Sequence, residues 1–233
     1  MLGWVLDHDD ARADDIAAGL GLPLSSAYRF LRTLREHGFV TDTDGAFTVG
    51  QRLHGQLAGL PASRVANLAV PFLEQLAGVT GETAVLTVRH GFHGICVQQV
   101  ESAHQIRLAF RIGQLLPLYA GAGQRVLLAF APDHVVRNVL EAEVRAFTPN
   151  TPGRAQVVRE LAKIRANRFA LSRGELTPGA VALAVPVMRG SGAVCALCVA
   201  GPQNRCPGTW QTAARRELEK GARSLAEVLG PQP

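Results

Sequence analysis

The chain has 233 residues, of which 47% are hydrophobic, and its net charge is +5 at pH 7. This length allows one large domain or two modest ones, with ample apolar material for a core. No apolar run has the length of a membrane span and Met1 opens no signal-peptide pattern, so we expect a cytoplasmic protein without a membrane partner. Four cysteines in that compartment give no case for disulfides.

The net positive charge of the chain is not in its N-terminal segment, so the overall charge is no evidence that this segment binds DNA. Residues 1–60 hold five arginines and eight acidic residues, a net charge of −3, which leaves +8 for residues 61–233. Within the first segment, however, Arg29, Arg32 and Arg35 fall close together, whereas most of the acids precede Ile16. Such local segregation can attract a phosphate backbone even in an acidic domain.

The N-terminal residues predict two short helices. Leu2 to Leu6 forms barely two turns, and residues 9–13 form a connection. Asp14 and Asp15 then open a helix, where acidic side chains suit the positive end of the helix dipole. Gly21 breaks this helix.

A longer helix is predicted from Ser25 to His37, with its N-cap at Leu24 or Ser25. Apolar residues recur in it at helical spacing and are expected to face inward. These inward residues are Ala27, Phe30, Leu31 and Leu34. Two helices joined by a tight glycine-containing turn are typical of a helix-turn-helix, whose second helix can enter a major groove.

The outward face of this second helix carries side chains suited to nucleic acid. Hydroxyl groups and tyrosine reach phosphates, and arginine reaches phosphates or guanine edges. The candidate DNA-binding residues are Ser25, Ser26, Tyr28, Arg29 and Arg32, with Arg35 on the same face. The alternative is a merely solvated helix face, which the next element makes the weaker interpretation.

That next element is a small hairpin. Residues 39–42 and 46–49 alternate as strands do, and they flank Thr43-Asp44-Gly45, which contains an Asp-Gly turn. A helix-turn-helix followed by such a hairpin predicts a winged helix over residues 1–50.

Residues 51–62 predict a linker helix. Leu53, Leu57 and Leu60 lie on one face of it, and Pro61 interrupts it. A helix this short cannot bury its apolar stripe alone, so the pattern predicts pairing with a second copy of the chain.

Residues 63–233 predict a second domain of mixed helices and strands. A strongly amphipathic helix over 65–76 opens it, and the period then changes to two. Strands are predicted at 83–89, 95–100, 106–110, 169–171, 181–187 and 194–199, with a hairpin loop at 90–94 and further helices at 124–130, 154–167 and 209–229. The expected fold is α+β, an antiparallel sheet with helices packed on it.

Residues 116–123 are the candidate ligand site within this domain. The segment runs from apolar residues into Gly121 and Gly123, and glycine lets a backbone approach a ligand closely. A helix start near Gln124 then presents unpaired N–H groups and a positive dipole end, which favour a carboxylate or another anionic oxygen. A plain tight turn with a helix packed behind it is the alternative.

No metal or cofactor is predicted. His90 and His93 are three residues apart without a third ligand nearby, and Gly121 and Gly123 lack the strand and acidic residue of a dinucleotide site. Cys195 and Cys198 have metal-binding or redox spacing, but residues i and i+3 of a strand point to opposite faces. Cys198 alone is plausible as a pocket wall.

Several short motifs together resemble the IclR-type family of bacterial transcriptional regulators. The resemblance spans nearly the whole chain and is quite specific in order and spacing. The motifs are residues 16–23 followed by 25–29, then Thr80-Gly81-Glu82-Thr83, residues 116–123, Pro178-Gly179, Ala184-Val185-Pro186-Val187 and Ala200-Gly201-Pro202. The resemblance implies a winged helix-turn-helix joined by a linker helix to a GAF-like effector-binding domain. It also implies a homodimer or dimer of dimers that binds double-stranded operator DNA and responds to small organic acids or aromatic metabolites.

The resemblance also implies which residues surround the effector. These are Leu118, Ala120, Gly121, Ala122 and Gly123 on one side, with Ser172, Ala180, Ala182, Cys198 and Ala200 opposite. Ser172 replaces a residue that is often acidic in relatives, and Cys198 and Ala200 replace small polar residues. We therefore expect a less polar pocket with room for a larger, aromatic acid.

The predicted function is that of a ligand-responsive DNA-binding regulator, not an enzyme. Two alternatives stay open at this point. One is a regulator that senses oxidants through Cys198, and the other is a cysteine-dependent enzyme on the GAF-like fold, which rests on fold analogy alone.

Overall fold

A computed structural model describes residues 1–7, 11–43, 45–50, 56–57 and 60–230 of the chain. The chain divides into two compact units. The N-terminal unit comprises Met1–Gln56 with Gly113–Leu115, and the C-terminal unit comprises Leu57–Ile112 with Leu116–Pro233.

The N-terminal unit combines three helices with a small sheet. Its elements are α1 (Leu2–Asp7), β1 (Ala11–Arg12), α2 (Ala13–Leu20), α3 (Leu24–Glu36), β2 (Val40–Thr43) and β3 (Ala46–Val49). The strands pair antiparallel in the order β1-β3-β2. The core consists of Val5, Ala11, Ala13, Ile16, Leu31, Val40 and Phe47. This is the predicted winged helix, with β1 as an extra strand where the sequence predicted only a connection.

The turn between α2 and α3 follows from two residues. Gly21 ends α2 with a positive φ of 62°, a conformation that glycine adopts without a steric penalty. Pro23 precedes α3 with a φ of −57° and no side-chain capping bond, so the N-cap predicted at Leu24 or Ser25 is wrong.

The inward face of α3 is narrower than predicted. Ala27 and Leu31 are fully buried and Leu34 is half-buried, whereas Phe30 is 45% exposed. Successive residues of an α-helix are rotated by about 100° around its axis. Leu31 lies at the centre of the buried apolar face, so Phe30 lies at the edge of that face. The guanidinium of Arg29 lies 5.4 Å from the centroid of the Phe30 ring.

The hairpin matches its prediction. β2 and β3 pair as expected, and Gly45 has a φ of 78°. The Gly45 N–H donates to Asp42 Oδ1 at 3.0 Å, which fixes the turn.

The linker differs from its prediction where the structure describes it. β4 (Gln56–Leu57) and β5 (Leu60–Pro61) form a two-stranded sheet, so the predicted helix is wrong for these residues. Residues 51–55, 58 and 59, including Leu53 of the predicted apolar stripe, lie outside the described residues. Gly55, Gly59 and Pro61 all disfavour a helix, and their combined cost outweighs the leucine spacing.

The C-terminal unit contains a six-stranded sheet with helices on both faces. Its helices are α4 (Ala62–Thr80), α5 (Ala122–Ala129), α6 (Asp133–Glu141), α7 (Arg154–Asn167) and α8 (Gly208–Leu229). Its strands are β6 (Thr83–His90), β7 (His93–Val100), β8 (Leu115–Pro117), β9 (Ala170–Arg173), β10 (Ala180–Arg189) and β11 (Gly192–Pro202). The strand order is β8-β7-β6-β11-β10-β9, and neighbouring strands from β7 to β9 pair antiparallel. The α+β prediction is confirmed.

Four elements of this unit differ from the sequence predictions, and one of them is β8, where no strand was predicted. Residues 106–110 form no strand: Ile106 is 78% exposed, and the Thr83 hydroxyl donates to the Leu108 carbonyl. The loop between β6 and β7 is only Gly91-Phe92, and α6 was not predicted. An alternating run of five residues is too short to distinguish a strand from a loop tied down by side chains.

The two faces of the sheet carry side chains of different size. On β10 and β11 the bulky residues face α4 and α8, where Leu197 packs near Gly221. The residues of this face include Leu183, Val185, Val187, Leu197 and Val199. The opposite face, which α5 covers, is built from Ala170, Ser172, Ala182, Ala184, Ala196, Cys198 and Ala200. We call this second surface the small-residue face.

Candidate functional site

Helix α3 presents the predicted DNA-contacting residues. Tyr28 is 56% exposed, and Ser25, Arg29 and Arg32 are exposed as well, whereas Ser26 is half-buried. This exposure follows from the spacing of Ala27 and Leu31, which turn the other face of α3 inward.

The arginines of α3 differ in their partners. Arg32 Nε lies 2.8 Å from Glu36 Oε1, and Arg35 Nη1 lies 3.2 Å from Asp42 Oδ2. Arg29 has no carboxylate partner among the described residues and lies only against Phe30. Exposed ion pairs are weak, so all three guanidinium groups can contact phosphates. Arg32 and Arg35 must first give up their carboxylate partners to bind a phosphate, whereas Arg29 has none among the described residues.

The candidate effector site lies where α5 starts against the small-residue face. Strand register places Ser172, Ala182 and Ala200 side by side across β9, β10 and β11. Ala180 and Cys198 fall on the same face, one row to either side. The predicted residues Leu118, Ala120 and Ala122 belong to the same core cluster as Cys198. The structure thus brings both predicted sets together, and Ala180 and Ala182 are only half-buried.

The anion position at this helix start already holds a carboxylate of the chain itself. Gly121 is the N-cap of α5 with a φ of 87°, and its N–H donates to Glu175 Oε2 at 2.8 Å. The N–H groups of Ala122, Gly123 and Gln124 have no intrahelical partner because they lie in the first turn. The Gly123 N–H faces the Cys198 sulfur.

Glu175 is part of a buried charge cluster that the sequence analysis missed. Arg125 is 1% exposed and its Nη2 donates to Glu175 Oε1 at 2.6 Å and to the Leu171 carbonyl at 2.7 Å. Its Nη1 pairs with Glu160, while its Nε has no partner among the described residues. The sequence does carry one sign of the Arg125–Glu175 pair. Arg125 is the only charged residue in the segment that forms α5, and a buried arginine needs an acidic partner.

Burial raises the pKa of Glu175 above its usual value, because a charged carboxylate is poorly solvated in the protein interior. Arg125, the Gly121 N–H and the Ser172 hydroxyl oppose that rise by stabilising the charged form. Ser172 therefore serves the Glu175 carboxylate, and its hydroxyl is not free for a ligand.

The cysteines give no support for thiol chemistry. Cys195 and Cys198 lie on opposite faces of β11, as predicted. All four thiols are buried, and burial raises the pKa of Cys96, Cys198 and Cys206 to about 12. The thiolate is the reactive form of cysteine, so such thiols are inert near neutral pH.

We therefore expect the folded protein to resist thiol reagents. At pH 7.5, Cys198 should react with a chromogenic disulfide far more slowly than the same cysteine in urea-unfolded chain, because both burial and protonation protect it. Mass spectrometry after timed quenching measures the modification of each cysteine. Modification of native Cys198 as fast as that of the unfolded chain would support oxidant sensing instead.

A cleft lies beside the edge strand β9. This cleft of about 600 Å³ is lined by Pro149, Asn150, Thr151, Gln156, Glu160, Leu171, Arg173, Glu175 and Gln203. It shares Glu175 with the start of α5. Within the described part of the chain, no three His, Cys, Asp or Glu side chains gather as metal ligands, and none of its helices is long and apolar enough to cross a membrane.

A winged helix with exposed Tyr28 and Arg29, in a chain that carries a separate α+β unit, defines the class of DNA-binding transcriptional regulators with a sensory domain. Comparison with known families agrees. Residues 58–227 match the bacterial transcriptional regulator IclR C-terminal domain, and residues 1–44 match the IclR helix-turn-helix domain. The chain belongs to the IclR family of transcriptional regulators.

Individual relatives cover the chain almost completely. The HTH-type transcriptional repressor AllR of Klebsiella pneumoniae is 27% identical over 231 residues, covering 94% of this chain and 83% of AllR. An IclR transcriptional regulator from Alicyclobacillus acidocaldarius is 28% identical, with a TM-score of 0.75 over 97% of this chain and 96% of that one. An IclR homologue from Microbacterium hydrocarbonoxydans, crystallised with 4-hydroxybenzoate, shares the fold at 23% identity, with a TM-score of 0.72 over 95% and 92% of the two chains.

Proposed function

We propose that this regulator represses transcription by holding operator DNA through α3, and that a small organic acid bound at the start of α5 releases it. The observation that carries the proposal is the row of Ser172, Ala182 and Ala200 on the sheet face that α5 covers. Small side chains there leave room for a ligand body, and a helix start supplies N–H donors. A regulator of chromosomal DNA works in the cytoplasm, where we place it.

Two relatives support this proposal. AllR is a repressor, and the Microbacterium homologue binds a hydroxylated aromatic acid. Because Glu175 already accepts from the Gly121 N–H, we infer that the effector's acidic oxygen meets the N–H groups of Ala122 and Gln124 instead. The Arg125 guanidinium then remains with Glu175.

We propose that the two units have separate functions, one in binding DNA and the other in binding the effector. We propose a winged helix-turn-helix DNA-binding domain over residues 1–50, a linker over 51–62 and a GAF-like effector-binding domain over 63–233. The family matches at 1–44 and 58–227 support boundaries close to these.

Replacing Ala122 with leucine tests the effector site. Ala122 is 1% exposed, so the larger side chain must project into the space proposed for the ligand. We expect the variant to keep the parent's DNA affinity and to lose DNA release by an added acid such as 4-hydroxybenzoate, measured by fluorescence anisotropy of labelled operator.

Ala129→Leu is the matched control for this experiment. Ala129 is 2% exposed at the other end of α5, so overpacking there costs a similar amount, about 1–3 kcal/mol, without touching the site. If Ala122→Leu still responds at the parent's acid concentration, the effector binds elsewhere.

We also propose that the protein acts as a homodimer or dimer of dimers. Each chain offers one recognition helix, and two-fold proteins of this kind bind half-sites about one helical turn apart or a multiple of it. Light scattering at micromolar concentration should therefore report at least twice the mass of one chain. A monomer both with and without operator DNA would contradict the proposal.

A further inference from the structure

Gln124 is a largely buried residue whose side-chain amide makes no hydrogen bond within the described part of the fold. It occupies the third position of α5 and is 6% exposed. Among the described residues, its side-chain amide makes no hydrogen bond, yet its polar atoms are not enclosed as the unpaired Arg125 Nε is, so they reach accessible space. An amide that the fold leaves unbonded and accessible can donate to a ligand and accept from it.

The side chain lies across the start of α5. A Cβ added to Gly121 would fall 2.5 Å from Gln124 Oε1 and 2.8 Å from Leu176 Cδ1. A Cβ added to Gly94 on β7 would fall 3.0 Å from Gln124 Cγ and 3.7 Å from Leu118 Cδ2. The amide therefore lies between two glycines and beside the apolar residues Leu118 and Leu176.

An ordinary capping role does not explain this residue. Glutamine at the third helical position often accepts from the backbone N–H of the N-cap. Here the N-cap is Gly121, and its N–H already donates to Glu175 at 2.8 Å. The polar atoms of Gln124 are left over after α5 has been capped.

We propose that Gln124 is the specificity-determining residue of the effector site, its amide hydrogen-bonding a hydroxyl or carboxamide on the body of the effector. This inference rests on the proposed function, because it assumes that an acid binds at the start of α5. A side-chain amide offers two donors and one acceptor, so a hydroxyl or a carboxamide can both give and receive a hydrogen bond. A second carboxylate is disfavoured, since the charged Glu175 lies on the other side of Gly121.

The test compares matched acids on the full chain by isothermal titration calorimetry. The probes are benzoate, 3-hydroxybenzoate, 4-hydroxybenzoate and the monoamide of terephthalic acid. The parent should bind at least one substituted acid about three- to tenfold more tightly than benzoate, the gain of one net hydrogen bond. Gln124→Leu should bind benzoate as the parent does and lose that preference. Gln203→Leu, which removes an exposed amide, should keep it.

Stability without any ligand gives a second, independent measurement. Leucine has a similar size and leaves no polar atom unpaired, so Gln124→Leu should unfold at the same urea concentration as the parent or at a higher one. A lower midpoint would show that the fold itself uses the amide, and the proposal would be overturned.

The binding results distinguish a failure of the role proposed for Gln124 from a failure of the proposed effector site. If acids bind and Gln124→Leu keeps the parent's preference, the role of Gln124 is overturned and the effector site stands. If none of the four acids binds the parent, the proposed aromatic-acid effector fails, and the role of Gln124 fails with it.

Discussion

Replacing Glu175 with alanine is expected to lower the free energy of unfolding of the C-terminal unit by about 3–5 kcal/mol. Arg125 is almost fully buried, and Glu175 is its partner at 2.6 Å. Without that carboxylate the guanidinium keeps Glu160 and the Leu171 carbonyl, and the Gly121 N–H loses its acceptor as well. A buried charge that loses its partner costs more than the pair contributed, because the desolvation of the remaining charge is no longer offset.

The measurement can be restricted to the C-terminal unit. The chain has two tryptophans, and Trp210 lies in α8, where its indole N–H donates to the Thr80 carbonyl at 2.8 Å. In a Trp4→Phe background, fluorescence during urea unfolding reports on Trp210 alone.

Two further variants make this result interpretable. Glu219→Ala breaks the exposed pair with Arg215 and should cost less than about 1 kcal/mol. The double variant Arg125→Met, Glu175→Gln should recover part of the loss, because it removes both charges. Equal stabilities of Glu175→Ala and Glu219→Ala would show that losing the buried carboxylate costs no more than losing an exposed one, contrary to this prediction.

Replacing Arg29 with alanine is expected to weaken specific DNA binding by about 1–3 kcal/mol, roughly 5- to 150-fold. Arg29 is exposed on α3 without a carboxylate partner among the described residues, so its guanidinium is free to read a base edge. Anisotropy titrations with a selected operator and with random duplex, at several salt concentrations, measure the affinity and the specificity together.

Arg32→Ala is the matched comparison. It removes the same group from the same helix face, but that group is paired with Glu36. We expect it to weaken binding to all sequences alike and to lower the salt dependence by about one released ion. If both variants bind operator and random DNA as the parent does, α3 is not the recognition helix.

Patterns of local origin were predictable from the sequence. The helix α7 and the hairpin of β2 and β3 follow from spacing and turn residues that act over a few neighbours. The strand predicted at residues 106–110 and the predicted linker helix were wrong because apolar spacing was the only evidence for them. Their apolar spacing was outweighed by glycines, a proline and a long-range bond from Thr83 to Leu108, none of which periodicity registers.

The small-residue face was predictable only in part. The resemblance named Ser172, Ala182 and Ala200, and strand register places them in one row. It did not indicate that Glu175 lies at the start of α5, since an acid 54 residues from Gly121 carries no local sign of that contact. The contact depends on how β9 aligns against the helix, which is a property of the folded sheet.

The unequal faces of the sheet have a consequence for how this protein can change. The bulky residues that α4 and α8 cover are buried, so shortening one of them leaves a cavity and destabilises the domain. The alanines on the other face are smaller, and each contributes less buried apolar area. Ala180 and Ala182 are half-buried, so a single longer side chain at either position would change the wall of the proposed effector site at small cost. If the effector binds there as proposed, single substitutions can therefore change its preference for one acid over another, while the packing against α4 and α8 stays unchanged.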